Sequence, residues 1–108
     1  MNNITITGNI TADPELRFTS GGNAVCSFCL ASSQGKDRDS MFIDVAVWKE
    51  PAENVAALKK GDRVVVSGIL KQDFWESDGQ KRNKFRITAQ EVGVSLRWAK
   101  VEITKNER

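Results

Sequence analysis

Residues 41–48, Met-Phe-Ile-Asp-Val-Ala-Val-Trp, place two flat aromatic rings and a carboxylate on one side of a segment whose other side is aliphatic. The alternation has period two, the mark of a β-strand with two different faces. Met41, Ile43, Val45 and Val47 make a core face, and Phe42, Asp44, Ala46 and Trp48 make the other. A carboxylate between rings suits a wet surface better than a packed interior. At ~3.3 Å per residue, Phe42 and Trp48 stand roughly 20 Å apart. Exposed rings spread along a sheet can stack the bases of an unpaired nucleic acid strand. The same rings could equally pack under a loop or against a second subunit, since aromatics are common interface anchors.

A second aromatic group, Phe74 and Trp75, sits in a stretch that carries Lys71, Lys81, Arg82, Lys84 and Arg86, partly offset by Asp73, Glu76 and Asp78. Cations interleaved with rings suit a ligand whose phosphates and bases must both be held. A solvated hairpin of ordinary charge density would look much the same. By parity, Lys84 and Arg86 face outward, where a phosphate can reach them.

Other chemistries are poorly supplied. Cys26 and Cys29 form a C-x-x-C spacing, but the chain has no further cysteine and no histidine. A zinc site needs about four ligands, and a redox pair usually opens a helix. Here the pair falls in Ala24-Val25-Cys26-Ser27-Phe28-Cys29-Leu30-Ala31, which reads as a β-strand and sends the two thiols to opposite faces. Both are expected to be reduced, with at least one buried as a small hydrophobe. Without histidine the commonest general base is missing. Gly8, Gly21, Gly22 and Gly35 match no phosphate-binding loop. No catalysis, cofactor or metal is expected.

These groups need a scaffold. Ile4 and Ile6 alternate with Thr5 and Thr7 as a first strand, which Gly8-Asn9 breaks. Asp13-Pro14 and Ser20-Gly21-Gly22-Asn23 read as turns around a strand over about 24–32. Residues 33–40 are an exposed polar loop, and 41–48 is the next strand. A helix of about ten residues follows, with Pro51 in its first turn, Lys59 and Lys60 at its end, and Gly61 as its stop. A fourth strand runs from Arg63 to about Lys71, a hairpin turns at Ser77-Asp78-Gly79, and a fifth strand covers about 83–92 with Phe85, Ile87 and Ala89 inward. A last extended segment, about 94–104, carries Leu96, Trp98, Val101 and Ile103.

The fold class expected is all-β. Five strands with a helix between the third and fourth is the order of an OB-fold, a small Greek-key barrel that often binds oligonucleotides, here with an extra C-terminal strand. One domain over residues 1–104 and a short end over 105–108 fit a chain of 108 residues. No run approaches the ~20 apolar residues of a membrane span, and no signal-peptide pattern opens the chain, so a cytoplasmic, membrane-free protein is expected. The net charge of +2 is a weak global signal for nucleic acid, which leaves recognition to local charge and stacking.

Gly8-Asn9, Asp13-Pro14-Glu15-Leu16-Arg17-Phe18, Trp48 with Ala52-Glu53-Asn54, Lys60-Gly61 and Val66-Ser67-Gly68 resemble, in this order, bacterial single-stranded DNA-binding proteins. The resemblance runs from about residue 3 to 104. The stretch from Ala12 to Thr19 and Ser95-Leu96-Arg97-Trp98 look most like the actinobacterial branch, or a phage of such hosts. What it implies is sequence-nonspecific binding of single-stranded DNA in replication, recombination and repair, by a homotetramer, with a dimer as the lesser assembly. Phe42, Trp48 and either Phe74 or Trp75 fall where that family stacks bases. Arg17, Lys36, Arg38, Lys49, Lys71, Arg82, Lys84 and Arg86 are the cations expected to meet phosphates. The first strand, with Asn3, Thr5 and Thr7, would pair across a two-fold axis, and Leu96, Trp98, Val101 and Ile103 would clamp a neighbouring subunit. Two departures stand out. The loop 33–40 is short and lacks an aromatic that some members carry. The chain also stops at Glu102-Ile103-Thr104-Lys105-Asn106-Glu107-Arg108, without the acidic tip that recruits replication and repair enzymes. Such partners are therefore not assigned. The competing readings are an RNA-binding OB domain and an OB module used only for protein interaction.

Overall fold

The computed structural model describes residues 1–33 and 39–107. The chain runs β1 (Ile4–Ile10), β2 (Glu15–Phe18), β3 (Ala24–Ser32), β4 (Met41–Trp48), α1 (Glu50–Val55), β5 (Arg63–Ser77) and β6 (Gln80–Val94). The strands join in one sheet of order β1-β5-β6-β4-β3-β2, and β1 also pairs with β3, so the sheet closes on itself. Among the described residues the ladders are antiparallel, apart from the short parallel pairing of β4 with β6 over Asp44–Ala46 and Arg86–Thr88.

Alternation decides which side chains the closed sheet encloses. Ile10, Cys26, Leu30, Val45, Val64, Val66 and Ile87 are fully buried, and Ala52 and Val55 of α1 pack against them. Each large aliphatic buried this way stabilises the fold by roughly 1.5–3 kcal/mol. Ile43, Val45 and Val47 lie inside, as the pattern of 41–48 requires, whereas Met41 at the strand end is exposed. Cys26 is buried and Cys29 only partly so, both as free thiols, and burial pushes the Cys26 thiol up from its ordinary pKa. Closure forces close backbone approach at two places. A Cβ on Gly8 would meet the carbonyl oxygen of Ala31, and one on Gly68 would meet that of Thr88. Gly68 also sits at the irregularity where the β5–β6 register shifts.

Several elements depart from expectation. The helix has six residues rather than about ten. After Val55 the bonds tighten to Ala57 N–H to the Asn54 carbonyl and Leu58 N–H to the Val55 carbonyl. A turn then takes over: the Asp62 carboxylate accepts the Lys59 N–H at 2.8 Å, and Gly61 adopts φ +91°. β2 was not expected; its four residues pair with Phe18↔Ala24 through Glu15↔Ser27 of β3. β5 and β6 extend well past the lengths expected, so Phe74 and Trp75 lie within β5 rather than after it. They meet at a two-residue turn, Asp78-Gly79, with φ +52° and +75°, the backbone a tight hairpin demands. Finally, the C-terminal strand expected over about 94–104 does not form within one chain. β6 ends at Val94, and residues 95–107 find no partner strand among the described residues.

Candidate nucleic-acid interface

The parity of β4 sends Phe42, Asp44, Ala46 and Trp48 to the outer face of the sheet. Phe42 is 66% exposed and Trp48 40%. On the neighbouring β6, the parallel register sets Arg86 opposite Asp44 and Thr88 opposite Ala46. On β5, the antiparallel register adds Lys71 opposite Arg86, Asp73 opposite Lys84 and Trp75 opposite Arg82. On the other flank, Ser27 of β3 lies opposite Ala46, and Arg17 of β2 lies opposite Val25. One face therefore carries Phe42, Trp48, Trp75, Arg17, Lys71, Arg82, Lys84 and Arg86. Phe74 belongs to the opposite face of the hairpin, with Gln72 and Leu70.

Two connected grooves run over this face, and a third leads off its edge. A groove of about 540 Å³ lies between Arg17, Ser27, Asp44, Trp75, Lys84 and Arg86. A second, of about 360 Å³, shares Arg17, Ser27, Ala46 and Arg86 with it and ends at Trp48 and Phe18. The third shares Cys29, Asp44 and Lys84 with the first and leads past Phe42 and Met41 to Leu70 and Phe85, on the Phe74 side of the hairpin. The result is an open track with rings at both ends and cations in the middle.

The electrostatics of the middle are balanced. Asp44 pairs with Lys84. Asp73 accepts two hydrogen bonds from Arg86, at 2.9 Å to Nε and 3.0 Å to Nη2, and Arg86 Nη1 donates to Thr88 Oγ1 at 2.9 Å. The Arg86 hydrogen bonds hold the Asp73 carboxyl below the usual carboxylate range, and the bond to Asp44 raises the Lys84 ammonium above its usual value.

Lys49 follows Trp48 with φ +68°, a conformation that L side chains rarely adopt and that costs of order 1–3 kcal/mol. It reverses the chain from β4 into α1. Its N–H donates to the Ala24 carbonyl at 2.8 Å, and its carbonyl accepts the Ala52 N–H at 3.0 Å.

The expected site residues thus divide. Phe42, Trp48, Trp75, Arg17, Lys71, Arg82, Lys84 and Arg86 share the face, Lys49 adjoins it, and Phe74 turns away. Lys36 and Arg38 lie outside the described residues. Two rings were missed. Phe85, expected inward, is exposed near Phe42, on the Phe74 side of the hairpin by register, because β6 enters the core only at Ile87. Phe18 is exposed beside Trp48 on the unexpected β2. The Leu16-Arg17-Phe18 run after Pro14 was the available signal for it.

The expected interface residues lie elsewhere. Asn3 precedes β1. The Thr5 hydroxyl donates to Ser67 Oγ at 3.2 Å, while the Thr7 carbonyl accepts the Ser32 hydroxyl at 2.7 Å. Leu96, Trp98, Val101 and Ile103 are exposed. Trp98 is held between two guanidinium groups, Arg63 at 4.7 Å and Arg97 at 4.9 Å from the ring centroid. Among the described residues no group of three or more His, Cys, Asp or Glu could hold a metal ion, and no helix is long and apolar enough to cross a membrane.

Comparison with known proteins agrees with this architecture. The profile of the Single-strand binding protein family matches residues 1–95. A protein of Corynebacterium glutamicum named single-stranded DNA-binding protein is 47% identical, the match covering 98% of this chain and 52% of the relative. Proteins of the same name from Paenarthrobacter aurescens and Mycobacterium tuberculosis are 43% and 45% identical, over 97% of this chain and 68% and 71% of their own lengths. The chain therefore spans about half the length of the first of these relatives and about two thirds of the others.

Proposed function

The chain belongs to the Single-strand binding protein family, whose members are OB-folds, and we propose that it binds single-stranded DNA without sequence preference and without catalysis. The observation that carries the proposal is the shared face: Phe42, Trp48 and Trp75 are exposed on one open track with the cations between them. Bases stack on the rings, each worth ~1–3 kcal/mol, and phosphates meet Arg17, Lys49, Lys71, Arg82, Lys84 and Arg86. Stacking is tolerant of sequence because every base has a π-face. Protection of exposed single strands during replication, recombination and repair in the cytoplasm is the role this chemistry suits.

Assembly as a homotetramer belongs to the same proposal. β1 meets β3 only at Asn9 and Ile10, so the Asn3–Thr5 end of that edge is available to a second copy, while Thr7 is already engaged by Ser32. The exposed apolar side chains of residues 96–103 support a role in gripping a neighbour rather than DNA. Sedimentation equilibrium separates monomer, dimer and tetramer.

The direct test of the DNA reading is Trp48→Ala titrated with oligo(dT). Loss of one stacked base should weaken affinity by about tenfold or more, since ~1.4 kcal/mol is a factor of ten. Unchanged affinity in a folded variant would remove that ring from the site. Tighter binding of oligo(U) than of oligo(dT) by the wild type would instead favour an RNA ligand.

A further inference from the structure

The track is not simply basic. At its centre, two ion pairs cross three strands: Asp44 of β4 with Lys84 of β6, and Asp73 of β5 with Arg86 of β6. The register makes their pairing informative. Asp44 stands directly opposite Arg86, and Asp73 directly opposite Lys84. Each carboxylate nevertheless reaches diagonally to the other cation. Arg86 spends three of its N–H donors on Asp73 and Thr88, out of the five a guanidinium has. Lys84 is turned toward Asp44. In the free protein both central cations are therefore occupied, and the cluster is electrically neutral.

These pairs are not buried struts. The side chains of Lys84, Asp44, Arg86 and Asp73 keep 54%, 36%, 29% and 44% of their accessible surface. Solvent-exposed pairs contribute little to folding. All four line the same groove as Trp75, on the path proposed for the phosphates.

We infer that Asp44 and Asp73 are standing competitors of the DNA phosphates, holding Lys84 and Arg86 in the free protein and surrendering them when a strand binds. The inference rests on the reading of this face as a single-stranded DNA track. Its consequence is a binder whose affinity is held down at its centre and whose salt dependence is shallower than its count of cations would give. Bases still stack at the ends of the track, so the strand is retained by rings more than by charge. Such a division lets a bound strand be shifted or surrendered without many counterions having to re-condense on it at once.

The test uses the isosteric substitutions Asp44→Asn and Asp73→Asn, made separately in the full chain. Oligo(dT) is titrated into each and into the wild type over a range of salt concentrations, with thermal melting as a check on the fold. Freeing one cation should tighten binding at low salt by about two- to fivefold, the range an exposed charge pair supports. It should also steepen the plot of log affinity against log salt by up to ~0.7, the value of one more neutralised phosphate on a single strand. The gain should fade at high salt. A wild-type slope in both folded variants would overturn the inference. So would weaker binding at every salt concentration, which would mean that the carboxylates orient the cations for DNA. Failure of the wild type to bind oligo(dT) would instead strike the underlying reading, and the inference with it. The two substitutions lie on different strands, so misfolding of one leaves the other decisive.

Discussion

At the scale of single residues, parity within β5 separates two adjacent rings that composition cannot. Trp75 is 43% exposed and faces Arg82 on the side that carries Trp48 and Lys84. Phe74 is 73% exposed on the other side, beside Leu70 and Gln72 in the alternation. Trp75→Ala is expected to weaken oligo(dT) binding by about tenfold, again one stacked base, whereas Phe74→Ala stays within about twofold of wild type. Fluorescence or anisotropy titration of the two variants reads the difference, and a larger loss in the Phe74 variant would reverse the assignment. The outward parity of Phe42 and Trp48 was legible in the sequence because their strand has an aliphatic inner face, although the strand alone left packing under a loop or against a second subunit open. Phe85 was not. It has inward parity with the buried Ile87, but it lies two residues nearer the hairpin tip, where the strand has not yet entered the core. Beyond that point inside and outside lose their meaning. The pairing of Asp73 with Arg86 and of Asp44 with Lys84 was equally hidden, since it depends on the lateral register of three strands and not on spacing along any one.

At the scale of elements, β4 announces itself through its alternation and β3 as a nearly apolar run, each between polar or glycine-rich flanks. The ends of the other elements are set by tertiary partners. Alanine-rich sequence after Val55 would continue a helix, yet Lys60 N–H bonds the Asp13 carboxylate at 2.8 Å and Gly61 N–H bonds the Ile10 carbonyl at 2.7 Å, tying the segment to the β1–β2 connection. The long hairpin of β5 and β6 survives past the core because its own ladder and the Asp78-Gly79 turn hold it together. Its base is the sensitive point. A methyl group at Gly68 would press on the Thr88 carbonyl, which belongs to the backbone and cannot swing aside. Gly68→Ala is therefore expected to cost about 1–3 kcal/mol, the range of overpacked sites. Denaturant unfolding checks this, and a variant as stable as wild type would show that the β5–β6 register shift absorbs the extra atom.

At the scale of the whole molecule, closing the sheet through β1 and β3 puts aliphatic side chains inside and leaves the outer face of β4, β5 and β6 as a surface broad enough for several nucleotides. Apart from β2, the order of elements was readable, because turn signals and one helix separate the strands. The C-terminal segment was not, because an isolated chain gives residues 95–107 no strand to join. There Trp98 rests between Arg63 and Arg97, and Arg63 donates to Ser95 Oγ at 2.7 Å. This anchors the segment against the body while Leu96 and Ile103 remain open to another subunit. The molecule thus carries two separate aromatic surfaces, one proposed for nucleic acid and one for assembly.

Photo-crosslinking of an oligonucleotide containing 5-iodo-2′-deoxyuridine, followed by peptide mapping of the adducts, distinguishes these surfaces directly. The account predicts adducts at Phe42, Trp48 and Trp75, on the face shared with Lys84 and Arg86, and none at Phe74 or Trp98. Adducts confined to Trp98, or to the Phe74 side of the hairpin, would contradict it.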